Sequence, residues 1–209
     1  MSVYNLHMNI AFIRHAVNFA WATFKANFRL LTACILTFFA SWVILEVLVI
    51  AGQRLGFLWW LAAHLSFFIV FAGLEVGFIR ICFALHDGKP VGYPDLFREL
   101  RLGANFLLIQ LIYFVMVLVG FALLVIPGVY LGTKFTFYAY SFADGNPYLL
   151  QSFQQSGIIS EGSMWFLEWF SNLILFLNII GASFLGIGLI VTVPISILMK
   201  VYMYRLFTN

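Results

Sequence analysis

Charge is what this sequence is short of. Of its 209 residues only 9% are Asp, Glu, Lys or Arg, against about 25% in an ordinary soluble domain. That deficit excludes a water-soluble globule. The 11 basic residues barely outnumber the 8 acidic ones and are scattered along the chain, so there is no basic stripe of the kind that holds nucleic acid. Cysteine is equally scarce. Cys34 and Cys82 are the two present, both lie inside apolar stretches, and without paired spacings they read as small apolar fillers rather than a disulfide framework. The N-terminal stretch has no short apolar core followed by a small-residue cleavage site, so a removed secretory signal is not expected. Signatures of enzyme chemistry are missing as well: no Ser-His-Asp order with flanking glycines, no His-Glu-x-x-His, no phosphate-cradling glycine loop and no paired aspartates at helical spacing. His7, His15, His64 and His86 fall in different segments. The expectation is a protein without enzymatic activity, metal site or cofactor.

Apolar surface is what the chain has in excess. Hydrophobic residues make up 64%, with 25 Phe and 6 Trp, and the mean hydropathy is +1.02. One core of this length cannot hide so much, and lipid must act as part of the solvent. In hydrocarbon the backbone has to satisfy its own hydrogen bonds, and continuous rather than alternating apolar runs select helices over a barrel. The fold class expected is therefore an all-α, polytopic transmembrane bundle forming a single membrane domain over 1–209.

Residues 9–29 carry Ile13, Val17, Trp21, Phe24 and Phe28 at steps of three and four, with Arg14, Asn18, Lys25 and Arg29 opposite. This predicts an interfacial amphipathic helix, and makes Arg14, Lys25 and Arg29 candidate ligands for anionic lipid headgroups. Spans are predicted at 30–51, 58–85, 104–126, 130–143, 165–180 and 183–205, six in all. Pro127-Gly128 predicts a tight reversal or kink between the third and fourth. Pro94 to Arg101 reads as a short surface helix, and Asn146-Pro147 starts a second one ending near Gly162, just before the fifth span. A surface helix, a break and a two-span hairpin recur around 20–31 and 156–167, which predicts parallel repeats. Lys and Arg concentrate in the N-terminal helix, the 86–103 loop and the C-terminal end, whereas Arg54 stands alone in the opposite loops, which places both termini in the cytoplasm.

The Pro127-Gly128-Val129-Tyr130-Leu131 turn, Lys134 and Phe135, the helix from Ser156 to Gly162 with Trp165 following, and Pro194 ahead of Tyr204-Arg205-Leu206 form an ordered set. In this order the chain resembles a widespread bacterial family of six-helix integral membrane proteins, related to the membrane domain fused to some glycerophosphoryl diester phosphodiesterases. The resemblance extends over nearly the whole chain, including Trp21, Phe24, Lys25 and Asn27 of the N-terminal helix. It departs from the family where Lys134 replaces an arginine and where Gln154 and Gln155 replace basic residues. It implies a six-helix architecture and a bacterial inner-membrane location, and it implies little chemistry.

Charges inside hydrocarbon cost about 2.5–3.5 kcal/mol each on insertion scales, so each calls for a partner or a task. Helical rise puts Glu46, His64 and Lys134 at a common depth, roughly 6–9 Å below the outer surface, and a Glu46–Lys134 ion pair with His64 nearby is expected. Glu75 lies about 15 Å from the cytoplasmic end of the second span, near the midplane, with Gln110, Asn172 or Asn178 as its expected partners. Gly73 and Gly77 form a small-xxx-small spacing for close helix approach. Arg80, Lys200 and Arg205 are read as anchors that snorkel to the interface. The expected role is membrane scaffolding, lipid interaction or partner binding, with membrane lipids, another membrane protein or a second copy as partners. The alternative is a small transporter or channel using Glu75 and the Glu46, His64, Lys134 cluster.

Overall fold

The computed structural model describes residues 3–145, 148–183 and 186–208, with side chains from residue 11 onward except Gln53. The expected cap at Asn146-Pro147 and the side chain of His7 lie outside the described residues. The described residues are mostly helical: α1 (Val3–Ala26), α2 (Phe28–Ala51), α3 (Phe57–His86), α4 (Gly103–Leu123), α5 (Val125–Lys134), α6 (Tyr138–Ala143), α7 (Leu149–Ser160), α8 (Met164–Ser183) and α9 (Leu189–Thr208). Five of these, α2, α3, α4, α8 and α9, are long and apolar enough to cross a bilayer. They define a multi-pass helical membrane protein.

The N-terminal helix does not stand apart. Ala16, Ala20 and Phe24 are buried where α1 packs on α9, the small side chains of the two alanines letting the backbones approach. Phe19 leans on Tyr202 of α9 at 5.4 Å between rings. Val17, Trp21 and Phe28 of the apolar stripe are 38–50% exposed, as an interfacial helix requires, but they share the outer face with the exposed Arg14, Lys25 and Arg29 rather than lying opposite them. Lys25 lies 5.6 Å over the Trp21 ring.

The centre of the bundle is α3, 30 residues long. Its cytoplasm-predicted half is buried from Ala72 to Phe83, apart from Glu75 and Arg80, which are partly covered. Gly73 and Gly77 do provide a close approach, to the segment ahead of α4 at both positions and, at Gly73, also to Gly103, the first residue of α4. The segment 93–102 forms two 3-10 turns, Tyr93–Phe97 and Leu100–Leu102, that run along α3 with the Leu96 backbone against Gly77 and the Leu100 backbone against Gly73. Leu96 is fully buried. The expected surface helix over 94–101 is thus a docked strap, capped where the Asp95 carboxylate accepts the Gly92 N–H at 2.7 Å.

Two boundaries differ from expectation. The reversal after α4 falls at Leu124, whose φ of −165° and ψ of 158° break the helix, and not at Pro127-Gly128. Pro127 sits in the first turn of α5, where a missing N–H costs nothing, and Gly128 lets α5 pack against Gly120 of α4. The expected span over 130–143 is two short helices, α5 and α6, broken at 135–137. A break inside a bundle leaves backbone groups orphaned unless something reaches them. Here α7 does: Ser156 Oγ accepts the Phe137 N–H at 3.0 Å and donates to the Lys134 carbonyl at 3.3 Å. Ser152, Ser156 and Ser160 recur every fourth residue as one buried stripe on α7.

Ion pairs among the described residues lie in the half of the bundle where α3, α6 and α9 end. Arg205 bridges Asp87 at 3.0 Å and Asp144 at 2.8 Å and sits over the Phe83 ring at 4.5 Å. Burial works to raise the Asp87 carboxyl, but His86, Lys89 and Arg205 outweigh it and hold the group below its ordinary range. Arg205 is a clasp between helix ends and not a snorkelling anchor.

Candidate functional site

Because Gly73 and Gly77 turn one face of α3 toward the strap, the opposite face looks inward, and Glu75 is on it. Gln110 of α4 donates to Glu75 Oε2 at 2.6 Å, the one of its three expected partners that reaches it. No hydrogen bond to Glu75 Oε1 is present among the described residues. Beyond this pair lies a polar chamber of about 320 Å³, lined by Glu75, Tyr113, Thr136, Tyr138, Asn178, Ser196 and Lys200 among others. Tyr113 stacks on Tyr138 at 4.5 Å and donates to the Gly132 carbonyl at 3.1 Å. Asn178 donates to Ser196 Oγ at 2.9 Å.

A second chamber of about 280 Å³ shares Tyr113, Thr136 and Lys200 with the first and ends on Glu168 of α8. Glu168 is held by Asn172 Nδ2 at 3.0 Å and by the Thr133 hydroxyl. That hydroxyl also lies 2.9 Å from the Val129 carbonyl, and its single proton serves one of the two acceptors. The order of charges is therefore Glu75, Lys200, Glu168. Lys200 makes no ion pair within 4 Å with either acid among the described residues.

Glu75 has a second environment. It is the one charged residue lining a groove of about 510 Å³ between α2, α3 and α9, otherwise walled by apolar side chains, including Phe38, Phe39, Trp42, Phe67, Phe71 and Phe78. Phe39 and Trp42 at its rim are 39% and 56% exposed, so the groove opens sideways on the apolar surface of the bundle. Glu75 thus stands in the wall common to an apolar groove and a polar chamber.

The cluster expected around Glu46 does not assemble. Glu46 is on an exposed face of α2 and forms no ion pair among the described residues, because that face of α2 turns away from the bundle. His64 Nδ1 lies 2.8 Å from the carbonyl of Trp60, on its own helix, and its ring packs on Trp60 at 4.2 Å. Lys134 rests over Tyr130 and Phe135 at 5.6 and 5.8 Å and lines a separate cavity with Gln154 and Glu161. Equal depth along different helices did not mean proximity. Arg80 does not snorkel either: it pairs with Glu99 of the strap and donates to the Ala143 carbonyl at 2.9 Å, fastening the strap and the end of α6 to α3.

Lys200, read from sequence as a snorkelling anchor, and Glu168, not singled out there, line these chambers with Glu75. Lys200 is far enough from the end of α9 to be interior, and the Glu168–Asn172 spacing of four places donor and acceptor on one helix face. Either signal was available, but apolar neighbours on both sides hid which face turned inward. Compared with protein-family models, characterised proteins and solved structures, the chain shows no match.

Proposed function

We propose that this is a bacterial inner-membrane protein with a lipid-interacting role, which admits an amphiphile from the bilayer through the groove between α2, α3 and α9 and meets its polar end at Glu75. One observation carries the reading: a single carboxylate is shared by a sideways-open apolar groove and a chamber lined by several polar side chains. A purely structural acid needs no groove, and a purely structural groove needs no acid. Kinship with the six-helix family, both termini in the cytoplasm and the absence of catalysis belong to the same proposal. It is supported by the gathering of ion pairs at one end of the bundle. The exposed face of α1, with Arg14, Lys25 and Arg29 beside Trp21 and Phe28, suits anionic headgroups on that side.

The test is photolabelling in liposomes with an uncharged lipid, a long-chain alcohol bearing a diazirine on its alkyl chain, mapped by peptide mass spectrometry. Adducts concentrated on Phe39, Trp42 and Phe71, and reduced by Val193→Trp, support the reading. Labelling spread evenly over the exposed faces of α2 and α4 overturns it. The transporter alternative is favoured by one feature, the continuation of the polar chamber past Lys200 to Glu168 alongside the broken α5–α6 pair.

A further inference from the structure

Resting on the amphiphile-binding reading, we infer that the groove ending at Glu75 is a site for lipophilic cations, molecules whose positive centre is attached directly to an apolar body. Three observations converge on this class.

The first is charge balance. The row holds two carboxylates, Glu75 and the partly covered Glu168, against one ammonium, Lys200. Such a row is short of one positive charge, and a cation bound beside Glu75 supplies it. The second is the order in which an entering molecule meets those charges. Glu75 is the first and Lys200 lies behind it, across the chamber. A glycerophospholipid entering chains-outward has its phosphate next to the apolar part, and that anion would be set against Glu75. A cation carried next to the apolar body meets Glu75 directly, whose Oε1 accepts no hydrogen bond from the described residues. The third is the wall. Six aromatic side chains, Phe38, Phe39, Trp42, Phe67, Phe71 and Phe78, line the groove. Aromatic faces attract organic cations through the ring quadrupole, by about 0.5–2 kcal/mol each, and offer no comparable gain to an anion of the same size.

Two probes of matching shape and opposite charge isolate the claim without any mutation. Equilibrium dialysis of the purified full chain in dodecylmaltoside against tetraphenylphosphonium and against tetraphenylborate should show the cation bound at least roughly 10-fold tighter, the effect of about 1.4 kcal/mol. Glu75→Gln, which keeps size and the Gln110 contact, should abolish that preference. Phe39→Ala, at the exposed rim where folding is not at stake, should weaken the cation by about 2- to 30-fold. Equal binding of the two probes, no binding of the cation, or an unchanged preference in Glu75→Gln overturns the inference. Its failure is separable from failure of the broader reading. If the diazirine lipid labels the groove while the probes are not distinguished, the groove binds amphiphiles without regard to charge. If the groove is not labelled at all, the broader reading falls too.

Discussion

Substituting Gly77 by alanine asks whether the strap is a packed part of the bundle. An added Cβ at Gly77 would fall on the Leu96 carbonyl, with the Leu96 Cα at 3.2 Å. These are backbone atoms of a segment that cannot rotate away, so the strap must move outward. Overpacking of this kind costs about 1–3 kcal/mol. The displacement also strains the Arg80–Glu99 pair, leaving a carboxylate that is only 9% exposed with a weakened partner, worth about 1 kcal/mol more. Set against the gain of up to about 1 kcal/mol for replacing a mid-helix glycine, the net is about 2 kcal/mol, which at roughly 2–4 °C per kcal/mol for a chain of this size lowers the melting midpoint by about 4–8 °C. Gly157→Ala on α7 is the control. Its new Cβ would meet Lys134 Cε at 3.5 Å, an ordinary contact, and replacing a mid-helix glycine there gains up to about 1 kcal/mol. Thermal unfolding in detergent, followed by circular dichroism, should therefore move the two variants in opposite directions. A Gly77→Ala protein as stable as wild type, or a larger loss for Gly157→Ala, refutes the packing described for the strap.

Three further outcomes follow from the same geometry. Ser156→Ala removes the hydroxyl that accepts the buried Phe137 N–H, costing about 1–3 kcal/mol, and hydrogen exchange at the Phe137 amide should accelerate, whereas unchanged protection there would contradict the role given to α7. Asp87 has a lowered carboxyl pKa in the folded chain, below its unfolded value of about 3.9. Its contribution is thus complete above that value and disappears as pH falls through the folded one, so the melting midpoint should be level from pH 7 to about pH 5 and drop below about pH 4. Arg205→Met should lower stability at neutral pH by about 2 kcal/mol and flatten that acid-side dependence, and an identical pH profile in the variant would count against the clasp.

Much of the architecture was legible from the residues. Helical class, the positions of α2, α3, α8 and α9, and the contact of Glu75 with Gln110 all follow from apolar run length and the cost of burying charge. The charged cluster did not. Helical rise gives depth along an axis and says nothing of azimuth, and Glu46, His64 and Lys134 share a depth while facing different neighbours. The same ambiguity hid Lys200 and Glu168, since α9 is apolar nearly all round and has no polar face to orient it. The fourth span was misjudged because continuous hydrophobicity from Tyr130 to Ala143 looks like one helix, while its break depends on serines more than a dozen residues away. On α1, the docking of Ala16 and Ala20 on α9 was not legible, because small side chains leave no mark in an apolar periodicity dominated by Trp21 and Phe28.

Glu75 stands between a groove open on the apolar surface and a chamber shared with Lys200. An electron cryomicroscopy map of the protein in a lipid nanodisc, at side-chain resolution, tests this most directly. An elongated density between α2, α3 and α9 that reaches Glu75 is expected, with Gln110 and Lys200 on the far side of the carboxylate. A groove closed by protein side chains, or Glu75 turned outward with Lys200 extended to the headgroups, would contradict it.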